Sequence, residues 1–510
     1  MRFGFLSSIE FFAPLVFLNG VFFAWSNNAH MFNMDVLSFC VVISLVASLF
    51  LWSFGVFAGK MFSRLGQERF GIVNLIGALF FALMSAVPFF VYIFEPALDP
   101  LPAKAYFPIV FISFYLVVLF GVFRVLNVFF AVMLIMSFFR LGSSVVTISM
   151  DAPSGKHSAY RNVVFDKKPN VYLVWLESYQ SNDVLSARYG IDNSEFTSFL
   201  NENKFVVNGG FLSEKSSTLA SMAAVYSMGR EVINIRGKSD VAEYDRALIS
   251  GSGRNHVFKT FKENGYTTIQ FLETDYFYSN KKENLDKTDI NVPAIRFWLG
   301  PFIDFTALPN VISKYIPSFS GSADTGGTLE ERVVTAMSYG SALGKPYFVV
   351  LRSAKGLHTP NAGYSWKDLA DWVHSGKYAK GIWDTNSEVV PVVKHIVEND
   401  PGSVIVLLGD HGSWGYRGLA DGMDSYDGLA SSLSVSGVSL RDFVDDKHAV
   451  FMAIRFPDGD DSVFSGKFLS SVNLFNQLFN WMAGEHVDDV ESKIMFNKLV
   501  LARDGELVLN

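Results

Sequence analysis

The stretch VIVLLGDHGSWG, residues 404–415, decides the fold class. It begins as an aliphatic run and then breaks into Gly-Asp-His-Gly. A short apolar run rich in β-branched residues fits a strand buried on both faces. The acid and the imidazole would then stand where that strand meets solvent. Working outward, the same pattern recurs at 171–176, 265–273, 345–353 and 448–456, with helical-looking stretches between, such as 217–228 and 386–398. Strands that alternate with helices predict an α/β sandwich around a mostly parallel central sheet. In such sheets ligands collect at the carboxyl ends of the strands. Near the C-terminus, LVLARDGELVL predicts a hairpin turning at Asp504 and Gly505.

Three groups stand at predicted strand ends: Glu177, the pair Asp410 and His411, and His448 at the start of the last strand. Two carboxylates and an imidazole suit a divalent cation, and oxygen-rich ligation with nitrogen fits Mn or Zn better than a thiolate-loving metal. Gly409 and Gly412 permit an irregular turn that points Asp410 and His411 to one side. The bland readings are a helix-capping acid and a hydrogen-bonded core histidine. Thr218 opens the apolar-periodic run in SEKSSTLASMAAVYSMG. It reads as an N-cap, or as a nucleophile whose hydroxyl meets the positive end of a helix dipole.

Composition sets the frame for that domain. Half of the 510 residues are hydrophobic, and the excess lies in the first 140 or so, leaving the rest long enough for one large core. Apolar runs at 9–25, 36–58, 71–94 and 107–139 are each long enough to span a bilayer. The last is long enough for two short helices turning at Arg124, or for one long tilted helix. The loop 59–70 carries Lys60, Arg64 and Arg69, whereas the loop 26–35 carries no Lys or Arg. The positive-inside rule puts the basic loop in the cytoplasm and favours five spans, which export everything after about Arg140. The expected domains are therefore 1–140, a bundle of five transmembrane helices, then 141–168, a juxtamembrane linker, and 169–510, an extracytoplasmic catalytic domain. The net charge of −7, with no Lys/Arg run, argues against a nucleic-acid partner. The single cysteine, Cys40, excludes an intrachain disulfide.

Together the motifs resemble the membrane-anchored phosphoglycerol and phosphoethanolamine transferases of bacterial envelopes, in the alkaline phosphatase superfamily, with lipoteichoic acid synthases nearest in pattern. The resemblance rests on NVYLVWLESYQS, SSTLASMAAVYS, KPYFVVLRSAKGLHTP, KYAKGIWDTN, VLLGDHG and KHAVFMAIRFP. It departs at Ala223, where the family commonly has a proline, and at Ala449 and Val450, where it usually has Val-Pro. The resemblance implies Glu177, Thr218, Asp410 and His411 as metal ligands and Thr218 as nucleophile. Ser227 is its companion on the nucleophile helix. His358 would contact substrate, and His448 would support the metal or a second cation. Tyr378 and Asp384 match the helix before the metal strand. The implied cofactor is a divalent metal, Mn2+ first, with Zn2+ or Mg2+ as alternatives. The implied donor is a membrane phospholipid, phosphatidylglycerol ahead of phosphatidylethanolamine, and the acceptor an envelope glycan or lipid. The implied location is the bacterial inner membrane with the catalytic domain in the periplasm. A plain hydrolase, or a non-catalytic lipid-binding regulator of the same fold, are the competing readings.

Overall fold

The computed structural model describes residues 132, 135, 163–229, 245–249, 255–272, 277, 287–290, 327–356, 376–413, 425–459, 464, 470–484, 489–496, 499–504 and 506–508. The five expected spans and most of the linker lie outside the described residues. Among the described residues no helix is long and apolar enough to cross a membrane. Apart from Val132 and Ile135, the described residues belong to one compact unit, assembled from Pro153–Ile235, Tyr244–Pro293 and Asp324–Asn510.

Seven strands of that unit form one mixed, mostly parallel sheet: β1 Val171–Leu176, β2 Phe205–Val207, β3 Thr267–Leu272, β4 Lys287–Ile290, β5 Tyr347–Ser353, β6 Val404–Gly409 and β7 Met452–Arg455. Their order is β2-β7-β6-β1-β5-β3-β4. β1 lies centrally, parallel to β5 on one side and β6 on the other. Every residue of β1, β5 and β6 is buried, as expected of strands covered on both faces. β7 runs antiparallel to β6, so its amino end shares the sheet edge with the carboxyl ends of β1, β5 and β6. A second, small antiparallel sheet holds β8 Lys493–Phe496, β9 Leu499–Arg503 and β10 Glu506–Leu507. Its β9–β10 hairpin turns at Asp504, whose φ is +44°.

Alternation along the strands sorts side chains into two cores. On one face Tyr172, Val174 and Leu176 pack with Val333 and Ala336 of helix α5 (Leu329–Leu343) and with Ile382, Val389 and Ile396 of helix α6 (Lys377–Asn399). On the other face the core is aromatic. Phe348 of β5 stacks on Phe261 of helix α4 (His256–Glu263) at 4.3 Å between centroids, and Phe475 and Phe479 of helix α9 (Leu474–Ala483) pack edge-on against that pair. Helix α3 (Thr218–Tyr226) joins this second layer through Tyr226, whose hydroxyl accepts from Trp175 Nε1 at 3.1 Å. Helices α1 (Asn182–Tyr189), α2 (Ser194–Glu202), α7 (Tyr426–Ser436) and α8 (Leu440–His448) complete the described helices of the unit that exceed one turn and a half. One expectation is corrected here. His448 is the last residue of α8, and the strand begins only at Met452.

Candidate metal centre and nucleophile

Glu177 follows β1 directly, and Asp410 and His411 follow β6, its hydrogen-bonded neighbour. Parallel pairing in register, Leu176 opposite Gly409, therefore places the three residues side by side at one sheet edge. All three are buried, and one ligand atom from each lies within 4.8 Å of the others. His411 Nε2 is 3.7 Å from Glu177 Oε1 and 3.6 Å from Asp410 Oδ2.

Backbone contacts fix the turn that carries Asp410 and His411. Asp410 Oδ1 accepts from the backbone N–H of Ser178 and of His411, each at 2.8 Å. Gly412 N–H donates to the carbonyl of Lys447 at 3.0 Å. The glycines serve a different need from the one expected. Neither Gly409 nor Gly412 has a positive φ. A Cβ on Gly409 would overlap the carbonyl of Tyr179, and one on Gly412 the carbonyl of Asp446. They are small because other backbone segments press on them. The positive φ in this region belongs to Ser178, at +49°. That left-handed geometry is costly for a non-glycine residue and is held here by its N–H to Asp410 and by the Tyr378 hydroxyl, which donates to the Ser178 carbonyl at 2.7 Å.

Thr218 is brought to the same point from the other layer. Ser217 occupies the N-cap position of α3 with extended backbone, and Thr218 is the first helical residue. The N-cap reading of Thr218 is thereby overturned. Its hydroxyl lies 3.3 Å from Glu177 Oε1 and 3.1 Å from His411 Nε2. The approach to it is set by a hydroxyl network: Ser213 Oγ and Ser221 Oγ both donate to the Lys215 carbonyl at 2.9 Å, with 3.1 Å between the two oxygens.

The donor set suits a divalent cation. His411 Nδ1 is 2.7 Å from the Gly412 carbonyl, which makes Nδ1 the protonated nitrogen and leaves the Nε2 lone pair facing Thr218 and Glu177. Among the described residues, Asp410 Oδ2 is buried with no hydrogen-bond partner, an arrangement that costs free energy unless a cation or water meets the oxygen. Two carboxylate oxygens, an imidazole nitrogen and a hydroxyl are borderline-to-hard donors, appropriate to Mn2+, Zn2+ or Mg2+.

His448 stands outside this cluster. Its Nδ1 is 2.8 Å from the carbonyl of Ser213, in the loop leading to Thr218, and among the described residues its buried Nε2 has no hydrogen-bond partner. Burial, opposed by the bond to the Ser213 carbonyl and helped by the neighbouring Lys447 and Lys215 charges, pulls its pKa from 6.5 to about 3. The imidazole is neutral at any working pH. The sign follows: between about 3 and 6.5 the unfolded chain binds the proton and the folded chain does not, so stability falls as pH falls through that window. In EDTA, chemical denaturation at pH 7 and pH 4.5 should show a loss on the order of 2 kcal/mol attributable to this one residue. His448→Leu should flatten the pH slope by that amount; an unchanged slope would contradict the assignment.

The remaining sequence expectations divide. His358 lies outside the described residues. Ser227 ends α3 and turns its hydroxyl to the Ala224 carbonyl at 3.1 Å, away from the cluster. Asp384 sits on the solvent side of α6, paired with Lys380 one turn earlier. Tyr378 donates its hydroxyl to the Ser178 carbonyl, beside the turn that carries Asp410.

Arg352 is the residue that sequence reasoning passed over. It is buried on β5 opposite Trp175, on the strand face that Glu177 continues, and its guanidinium pairs with Glu177 Oε2. Its Cζ also sits 4.8 Å over the ring of Phe277. Burial draws its pKa down to about 10, opposed by the charge of Asp410, so it remains a cation at neutral pH. The signal was present in the sequence: one arginine directly following the apolar run YFVVL, within the same strand.

No protein-family model and no curated protein matches the chain. Among solved structures, it is similar to the zinc complex of the C-terminal periplasmic domain of EcEptC from Escherichia coli, at 11% identity over 67% of this chain and 94% of that one, with a TM-score of 0.39. It is similar to the lipoteichoic acid synthase LtaP from Listeria monocytogenes, at 14% identity over 68% and 79%, TM-score 0.36. It is also similar to the C-terminal periplasmic domain of the phosphoethanolamine transferase EptC from Campylobacter jejuni, at 12% identity over 62% and 90%, TM-score 0.37.

Proposed function

We propose that the chain is a membrane-held, extracytoplasmic phosphotransferase of the alkaline phosphatase superfamily. It moves a phosphoglycerol headgroup from a membrane phospholipid, phosphatidylglycerol in this reading, to a hydroxyl of an envelope glycan or polymer through a phospho-threonine at Thr218. One observation carries the reading: a hydroxyl at the first turn of α3 converges with Glu177 and His411 beside an unpartnered buried oxygen of Asp410.

Glu177, Asp410, His411 and Thr218 would hold a divalent cation, Mn2+ in this reading. When bound it supplies acidification of the hydroxyl and charge stabilisation on the phosphoryl oxygens. The chain's own residues do the rest. The first turn of α3 presents Oγ1 at the positive end of the helix, which favours an oxyanion there. Glu177 Oε1 and His411 Nε2 flank that oxygen and fix its position. The Thr218 hydroxyl gives up its proton as its oxygen attacks phosphorus, the bond from phosphorus to the diacylglycerol oxygen breaks, and that oxygen takes up one proton, so the step is proton-neutral. The acceptor hydroxyl then displaces Thr218 and regenerates it. The apolar spans expected between residues 9 and 139 give the donor a chemical reason to be a lipid, since anchoring raises its effective concentration.

Mass spectrometry tests this. The full chain is incubated with vesicles of mixed phosphatidylglycerol and phosphatidylethanolamine, quenched in acid and digested. A glycerophosphate ester on Thr218 is expected. An ethanolamine-phosphate ester there would keep the nucleophile and change the donor. An unmodified Thr218 under every lipid would sink the mechanism.

A further inference from the structure

The pairing of Arg352 with Glu177 is unusual for a carboxylate expected to hold a metal, because a buried cation at that place repels the ion. We propose, resting on the metal-assisted transfer above, that Arg352 is a positioning residue that confines Glu177 to a single ligating oxygen and weakens the site's hold on its cation.

The geometry divides the labour of the carboxylate. Oε2 is engaged by the guanidinium. Oε1 is the oxygen that faces Thr218, at 3.3 Å, and His411, at 3.7 Å. Arg352 is held from behind by β5 and by the Phe277 ring, and it is buried, so its hold on Glu177 is not a passing surface contact. A guanidinium matches a carboxylate in a fixed, planar manner and thereby sets the orientation of the acid. The formal charges then sum simply. Glu177 and Asp410 bring two negative charges, Arg352 one positive, and His411 none while Nδ1 carries the only ring proton. The site presents one net negative charge to a divalent ion instead of two.

Two consequences point the same way. Without the guanidinium, Oε2 of Glu177 is released from this ion pair, and a full unit of repulsion disappears from a low-dielectric pocket. Both tighten metal binding. A merely structural role predicts the reverse sign, since a displaced Glu177 would ligate less well.

Isothermal titration of the chelator-stripped full chain with Mn2+ alone, and separately with Zn2+, distinguishes them. Arg352→Met and Arg352→Gln should bind Mn2+ roughly tenfold more tightly than wild type, as removal of a nearby unit charge implies. Arg352→Lys, which keeps the charge, should stay within about threefold of wild type on the same grounds. Turnover should fall in the Met and Gln variants despite tighter metal, and recover in part with Lys. Unchanged or weaker Mn2+ and Zn2+ affinity in a folded Met or Gln variant overturns the proposal. Should the Met variant fail to fold, Gln, which removes the same unit charge, carries the same expectation, and a more than threefold change with Lys also counts against it. Absence of Mn2+ and Zn2+ binding in the wild type would instead overturn the metal-assisted reading itself.

Discussion

Thr218→Ala is expected to abolish headgroup transfer while leaving the fold intact, with turnover lower by roughly 10^3-fold or more, the usual consequence of removing a covalent nucleophile. The structural cost is small for three reasons. Thr218 opens α3 without serving as its N-cap, which is Ser217. Among the described residues its hydroxyl hydrogen-bonds only within the cluster, to Glu177 and His411. Alanine has the higher helix propensity. Three of the four expected ligands remain, so Mn2+ should still bind, within about tenfold of wild type by the energy of a single weak neutral ligand. The check is paired: lipid-dependent headgroup release, and calorimetric Mn2+ affinity, on one preparation. Retained turnover removes Thr218 from the chemistry. Lost turnover together with lost metal binding would make Thr218 chiefly a ligand.

Asp410→Asn should show opposite signs in two measurements. Asparagine Oδ1 can still accept the N–H groups of Ser178 and His411, so the turn survives. The Oδ2 side, which has no partner, becomes an amide that offers no lone pair to a cation. In EDTA the variant should be at least as stable as wild type, by on the order of 1 kcal/mol, because a buried unpaired anionic oxygen has been removed. In Mn2+ the wild type should gain stability by mass action and the variant should not. Transfer should fall by at least about 10^3-fold, since both metal and nucleophile activation go. Thermal unfolding with and without Mn2+ reads the first two effects. A variant that melts earlier in EDTA would mean that Asp410 is a structural acid of the turn.

The legibility of the molecule follows physical lines. The central strands β1, β5 and β6 were readable because burial on both faces demands uninterrupted apolar runs. The edge strands β2 and β4 were not, because Phe205–Val207 is too short and Lys287–Ile290 too polar to stand out from loop sequence. His448 sits in a run that reads as strand, yet α8 claims it: Ser439 caps that helix by accepting from Asp442 N–H at 3.0 Å, a local bond invisible to strand periodicity. Asp384 matched a motif spacing but falls on the outer face of α6, where helical phase carries it away from the sheet.

By itself the sequence determined the α/β class, the strand ends at Glu177 and Asp410, and the helix that begins with Thr218, since each depends on local periodicity or on a break in it. Convergence was decided only by the tertiary structure. Parallel register sets Leu176 beside Gly409, and so brings residues 177 and 410 to one edge although they are far apart in the chain. Close backbone approach explains Gly409 and Gly412. Most of all, the partnership of Arg352 with Glu177 needs β1 and β5 to pair in their particular register. A lone arginine closing an apolar, buried strand announces that it must be neutralised, and only the packed sheet says by which acid.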